Sequence, residues 1–226
     1  STLRLKGKKL AIGMNECLEC GVKHQLLKRS YHSYISSYKK DYCLSEGKDG
    51  GQLSSHERYD HDNQLAGKRH TRYKEFLGKG NSILDIGSGN GAFVDCMHNL
   101  GYVAHGLEIC ENYLGYTQPT YQGDFLEVDV PFNSYDTITM HDVLEHLVDP
   151  VSALKKCHRI LKKDGILIID FPDFFIKEGL HHWKPIEHLW MLRKDQLVTL
   201  FKSCGFKKIV IEKPIPSKLL LIARER

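Results

Sequence analysis

Ile83-Leu84-Asp85-Ile86-Gly87-Ser88-Gly89-Asn90-Gly91 is the stretch on which the fold turns: an apolar run ends in an acid and breaks into three glycines at alternate positions. The pattern predicts a buried parallel strand, a tight turn, and a helix continuing through Ala92-Phe93-Val94-Asp95-Cys96-Met97. Glycine serves in such a turn because it tolerates φ > 0 and because a ligand must lie against bare backbone. Amides at the start of the following helix can then face an anionic group. Dinucleotide sites space their glycines Gly-x-Gly-x-x-Gly, whereas this turn reads Asp-x-Gly-x-Gly-x-Gly with the acid ahead of it.

Outward from that turn, strands and helices alternate. A helix is expected over Gln64–Leu77, stopped by Gly78-Lys79-Gly80-Asn81, and another over Gly91–Leu100. Val103–Ile109 reads as a strand with Glu108 near its end, and a short strand near Thr120-Tyr121 precedes Gly123-Asp124-Phe125. Tyr135–Met140 is a strand, Pro150–Leu161 a helix, Asp164-Gly165 a turn, and Ile166–Phe171 the next strand. Helix Lys194–Cys204 and strands Phe206–Glu212 and Lys218–Ala223 complete the series. Such alternation argues a doubly wound α/β fold, a mostly parallel sheet with helices on both faces. Only Lys213-Pro214-Ile215-Pro216-Ser217 joins the last two strands, too short for a parallel crossover, so that pair must be antiparallel.

In an open parallel sheet, ligands bind at the carboxyl ends of the strands near the switch point. The residues there are Asp85 and its glycines, Glu108-Ile109, Asp124-Phe125 and His141-Asp142. An acid ending the second strand can accept from both hydroxyls of a ribose. The glycine motif, Gly123-Asp124-Phe125, and Phe132 to Pro150 with its Leu144-Glu145-His146-x-x-Asp149-Pro150 core form an ordered set. This set resembles the class I S-adenosylmethionine (AdoMet)-dependent methyltransferases, in particular the families acting on small molecules. Leu161-Lys162-Lys163-Asp164-Gly165 resembles their Leu-Lys-Pro-Gly-Gly block, with Asp164 departing from it.

The resemblance implies a Rossmann-like, seven-stranded sheet and a cofactor site of Asp85, Gly87, Gly89, Gly91, Glu108, Ile109, Asp124, Phe125 and His141. Asp124 would accept from the adenine amine and Phe125 would lie on the ring. Pro185-Ile186-Glu187-His188-Leu189 resembles the acceptor-side block of sugar-modifying members, although Ile186 replaces a histidine they tend to carry. The acceptor-side candidates are accordingly His188, His146 and Glu187, with His141 and the loop pair His181-His182 behind them. Histidine suits a base near neutral pH. Asp142-x-x-Glu145-His146 also resembles the acid-x-x-Glu-His cluster of quinone-biosynthesis methyltransferases that bind a divalent ion. Its mixed oxygen and imidazole donors suit magnesium or a transition ion, but the reading adopted assigns no metal ligand.

At 226 residues the chain suits one medium domain plus an extension, divided at 1–63 and 64–226. Ser45–Gln64, rich in Gly, Ser, Asp and His, reads as a mobile connection. A net charge of +4 is too mild to demand a nucleic-acid or membrane partner. The first forty residues are nonetheless rich in Lys and Arg. Cys17-Leu18-Glu19-Cys20-Gly21 has the form of a zinc knuckle but lacks the second pair a ribbon needs. Zinc is therefore not favoured. Cys96, Cys110, Cys157 and Cys204 read as small core residues of a reducing compartment. No apolar run approaches the roughly 18 residues of a membrane span, so a cytoplasmic protein is expected. The function anticipated is methyl transfer from AdoMet to a small molecule, a sugar or sugar nucleotide among the candidates. A tRNA- or DNA-modifying enzyme and a non-catalytic AdoMet-binding module are the alternatives.

Overall fold

The computed structural model describes residues 4–5, 8–9, 14–18, 21–25, 30–45, 55–77, 80–110, 119–184 and 187–225. Cys20 and Pro185-Ile186, singled out in the sequence, lie outside them. The N-terminal elements are β1 (Arg4–Leu5), β2 (Lys8–Lys9), β3 (Met14–Glu16), β4 (Lys23–Gln25), α1 (Tyr31–Ser45) and α2 (Ser55–Tyr73). Then come β5 (Ser82–Ile86), α3 (Ala92–Asn99), β6 (Val103–Glu108), β7 (Tyr121–Gln122), β8 (Tyr135–His141), α4 (Pro150–Ile160) and β9 (Leu161–Pro172). The chain closes with β10 (Trp190–Met191), α5 (Lys194–Ser203), β11 (Lys208–Ile215) and β12 (Lys218–Arg224).

Seven strands share one sheet in the order β11-β12-β9-β8-β5-β6-β7. From β9 to β7 every pairing is parallel, and β12 runs antiparallel to both β9 and β11. The expected antiparallel terminal hairpin is therefore present. Alternation along the strands divides the core in two. On one face Leu84, Ile86, Ile138, Met140, Leu167, Ile169 and Phe171 pack with Leu154 and Cys157 of α4 and Leu197 and Phe201 of α5. On the other, Ile83, Ile166, Ile168, Leu220 and Ile222 pack with Ala66 and Tyr73 of α2 and Phe93 and Met97 of α3. Helix α4 shows why its residues form a helix: Asp149 accepts from Ser152 N at 2.9 Å, Pro150 occupies the first turn, and Ala153, Leu154, Cys157 and Ile160 make one buried face.

Two expectations shift. Helix α2 begins at Ser55, inside the anticipated mobile connection. Its polar residues find tertiary partners that composition does not display: Tyr59 Oη donates to Asp95 of α3, and Asp62 accepts from Asn90 Nδ2 at 2.8 Å. Strand β9 starts at Leu161, paired with Tyr135, and absorbs the Asp164-Gly165 turn as a register shift with Asp164 at φ 65°. One cysteine also departs from its reading, because Cys110 is disulfide-bonded while Cys96, Cys157 and Cys204 are free. Among the described residues no helix is long and apolar enough to cross a membrane.

The extension is stitched to the sheet domain. Strand β4 pairs with β3 and, through Trp190↔His24 and Met191↔Lys23, with β10. Because Ile138 is wholly buried in the central strand, Ile138→Ala should cost about 2–5 kcal/mol in urea unfolding. Val210→Ala, at a 46 % exposed edge position, should stay within about 0.5 kcal/mol.

Candidate active site

The carboxyl edge of the parallel strands opens into a cavity of about 240 Å³. The turn after β5 shapes its floor. Leu107 O accepts from Gly87 N at 2.8 Å and from Ser88 N at 3.1 Å, which ties the turn to β6. Gly87 sits at φ 74°, and a Cβ there would fall 2.5 Å from Val143 Cγ2, so this position demands glycine. Gly91, at φ 78°, caps the start of α3.

Glu108 ends β6 at the cavity wall, 5 % exposed. Its Oε2 accepts from Gly89 N and its Oε1 from Cys110 N, both at 2.8 Å, so one backbone donor fixes each oxygen. Burial pushes its carboxyl up, opposed by these backbone bonds. Asp124 accepts from Leu126 N at 2.9 Å through Oδ1 and from the Tyr31 hydroxyl of α1 through Oδ2. Burial, then the bond to Asp124, raises the Tyr31 phenol. Gly87, Gly89, Glu108, Ile109, Asp124, Phe125 and His141 all line this cavity. Asp85 and Gly91 do not line it.

Asp85 instead belongs to a buried network beneath the floor. It accepts from Thr139 Oγ1 at 2.6 Å and lies 3.9 Å from His141 Nε2. His141 Nδ1 reaches Asp170 Oδ2 at 3.2 Å, which also accepts from Arg69 Nε at 3.1 Å. Burial raises the Asp85 carboxyl against the pull of His141 and the Thr139 bond. Burial acts on Asp170 in the same sense but is outweighed by the His141 bond and charge, with Arg69 and Lys218, and its carboxyl lies well below the usual range.

Just after β8, Asp142 adopts φ 57° and turns the chain out of the sheet. Lys218 and Arg69 take up its carboxylate, the latter at 3.7 Å. The following turn points Glu145 inward and His146 to the cavity wall. Glu145 is fully buried, and among the described residues neither carboxylate oxygen has a hydrogen-bond partner. Burial, then the charge of Asp142, pushes its carboxyl well up. His188, 4 % exposed, packs edge-on against His146 with ring centroids 4.6 Å apart and does not itself line the cavity. Burial, then the neighbouring His146, drops its imidazole to about 2. Glu187 pairs with Lys184 at 3.5 Å. Bonds to main-chain carbonyls hold these parts together: Leu189 N donates to Glu145 O at 2.7 Å, and the Gln25 side chain donates through Nε2 to His188 O at 3.0 Å.

Helix α1 supplies what the sequence reading missed. Tyr31, Tyr34, Ile35 and Tyr38 line the cavity opposite the strand ends, and Arg58 of α2 joins them. The spacing of the three tyrosines puts them on one helix face, a signal that was present in the sequence.

A family described as a methyltransferase domain matches residues 57–211. The chain is similar to ubiquinone biosynthesis O-methyltransferases of Glaesserella parasuis (33 % identical over 106 residues, 40 % of this chain and 44 % of that one) and Dinoroseobacter shibae (25 % over 158 residues, 58 % and 62 %). It thus spans between two fifths and two thirds of the length of these relatives. Among solved structures, it shares its fold with a SAM-dependent methyltransferase from Archaeoglobus fulgidus: TM-score 0.63, 18 % identity, 81 % of this chain and 99 % of that one. A phosphoethanolamine N-methyltransferase 2 of Haemonchus contortus, in complex with S-adenosyl-L-methionine, gives TM-score 0.53, 21 % identity, and 69 % and 39 % coverage.

The His141–Asp170–Arg69 network carries a pH signature. A carboxylate held low in the folded state adds stability above its unfolded value, about 3.9, and loses it as pH falls through the folded one. Urea unfolding below about pH 4 should therefore show a steeper loss for the wild type than for Asp170→Asn.

Proposed function

The chain belongs to the methyltransferase-domain family, and on that premise we propose that it transfers the methyl group of AdoMet to a hydroxyl of a small acceptor. The observation that carries this reading is a single cavity whose two sides differ in chemistry. One side offers Glu108, Asp124 and a bare glycine turn; the other offers His146 beside Tyr38 and Tyr34. When bound, AdoMet supplies a methyl group on an already activated sulfonium.

The rest falls to the chain's own residues. Glu108, with one backbone donor on each oxygen, keeps lone pairs for the ribose hydroxyls. Gly87 and Gly89 admit close approach of the ligand to the backbone. Asp124 and the buried Phe125 take the adenine end, and Tyr31 orients Asp124. Positioning of donor and acceptor supplies much of the rate. His146, on the wall beside Tyr38, takes the proton that the acceptor hydroxyl loses as its oxygen gains the methyl group. His188, held neutral by burial, acts through His146 as a positioning residue, and Glu187 with Lys184 braces the loop behind it.

The relatives named as O-methyltransferases support a hydroxyl acceptor. A sugar nucleotide, implied by the resemblance at Glu187-His188, would bring a diphosphate needing cations. Among the described residues, Arg58 is the one Lys or Arg that lines the cavity, and Asp62 lies 3.5 Å from it. An acceptor of low charge with a flat apolar body suits the tyrosine wall better.

Labelled methyl transfer to phenolic, sugar and tRNA acceptors offered in parallel tests this reading, with label expected in the phenol. Glu108→Ala should weaken AdoMet binding by about 1.5–3 kcal/mol in titration calorimetry; unchanged affinity would remove Glu108 from the cofactor site. His146→Ala should lower kcat by about 10²–10⁴ while AdoMet affinity stays near the wild-type value.

A further inference from the structure

We propose that Lys156 of α4, which does not itself line the cavity, sets the selectivity of the site for an adenine base by holding the turn that carries Asp124 and Phe125. After β7 the chain makes one tight turn. Asp124 O accepts from Glu127 N and from Val128 N, both at 2.9 Å, and Asp124 Oδ1 caps its start through Leu126 N. A turn of helical form leaves its later carbonyls without an internal partner. Lys156 reaches them from the neighbouring helix: its Nζ donates to Phe125 O and to Val128 O and stands 5.0 Å from the centroid of the Phe125 ring. Two carbonyl oxygens aimed at one point repel each other. An ammonium, with three donors and a full charge, makes the same arrangement attractive.

The turn is thus fixed at both ends. Tyr31 and Leu126 N hold the Asp124 carboxylate, and Lys156 holds the carbonyls beyond it. The lysine is well seated for this, since it precedes the fully buried Cys157 on the capped helix α4 and is itself half-buried. Rigidity here decides selectivity. Adenine turns an exocyclic amine toward Asp124, whereas hypoxanthine turns a carbonyl oxygen the same way. A fixed carboxylate meets that oxygen with no proton between them, which costs affinity. A loosened turn lets the carboxylate move aside to water, and the difference between the two bases shrinks. Lys156 is a positioning residue in this account, acting through Asp124. The inference rests on placing the adenine at Asp124 and is independent of the acceptor.

The test measures by calorimetry the binding of S-adenosylhomocysteine and of S-inosylhomocysteine, its hypoxanthine counterpart, to the full chain. The wild type should favour the adenine ligand by about 10–100-fold, as for a bond to a charged group. Lys156→Met, which keeps an unbranched apolar stem, should lower that ratio by about threefold or more. Lys156→Arg restores a charged donor with several N–H groups and should keep it, as should Lys155→Met at the exposed neighbour. Urea unfolding accompanies each variant. A merely structural brace would lower stability and both affinities together and leave the ratio unchanged, and that outcome overturns the inference. Should Lys156→Met fail to fold, Lys156→Gln is read in the same way. Asp124→Ala separates the two layers, because it should abolish the preference. No preference in the wild type, or one kept in both Lys156→Met and Asp124→Ala, strikes the adenine reading and the inference with it. A preference kept in Lys156→Met and lost in Asp124→Ala strikes Lys156 alone. A preference lost in Lys156→Met and kept in Asp124→Ala strikes the route through Asp124, and so the inference.

Discussion

Carboxylates gathered at the carboxyl edge of a dry sheet are the constraint around which this molecule is built. Asp85, Glu108, Glu145 and Asp170 are all at most 5 % exposed. A buried carboxylate is tolerated only with compensation, and three of the four have it in different currencies. Asp85 has a threonine hydroxyl with His141 nearby, Glu108 has two backbone amides, and Asp170 has His141 and Arg69. Glu145 alone of these four accepts no hydrogen bond through its side chain. The position of α2 follows in part from this demand, since Arg69 must reach Asp170 and Tyr73 must reach His141 at 3.3 Å.

The fold could be read from the sequence because its signals are local. Glycines at alternate positions and β-strand runs ending in acids give the strand–turn–helix unit without knowledge of the rest of the chain. The brevity of Lys213–Ser217 settles the direction of β12 by reach alone. The same logic directs attention to Glu108, which ends β6, and Asp124, just past β7, and both line the cavity. Asp85 shares that motif yet turns beneath the floor, because Thr139 and His141 on the neighbouring strand β8 take its side chain.

The wall formed by α1 and the turn after β8 was less legible, for reasons that are equally physical. Tyrosine is both apolar and polar, so the face formed by Tyr31, Tyr34 and Tyr38 does not stand out in a reading based on apolar periodicity. Glu145 and His188 are brought together by a residue at positive φ and by a loop more than forty positions away in the chain. Neither effect has a local signature. His188 reads as an acceptor-side residue, yet Phe174 and Trp183 close around it, with ring centroids at 5.4 and 6.0 Å. Tertiary burial, not loop position, sets its protonation.

The bond from Gln25 Nε2 to His188 O spans 163 positions of the chain, and it bears on the order in which the molecule assembles. Strands β5, β6 and β8 with their intervening helix come from neighbouring stretches, so the glycine turn and Glu108 gain their shape from short loop closures. The pocket's far wall must wait for β4, the turn after β8 and β10 to meet, each closure carrying a larger entropic cost. The two sides of the cavity thus differ in the length of chain that must be closed to form them: short for the glycine turn and Glu108, long for the wall behind His146.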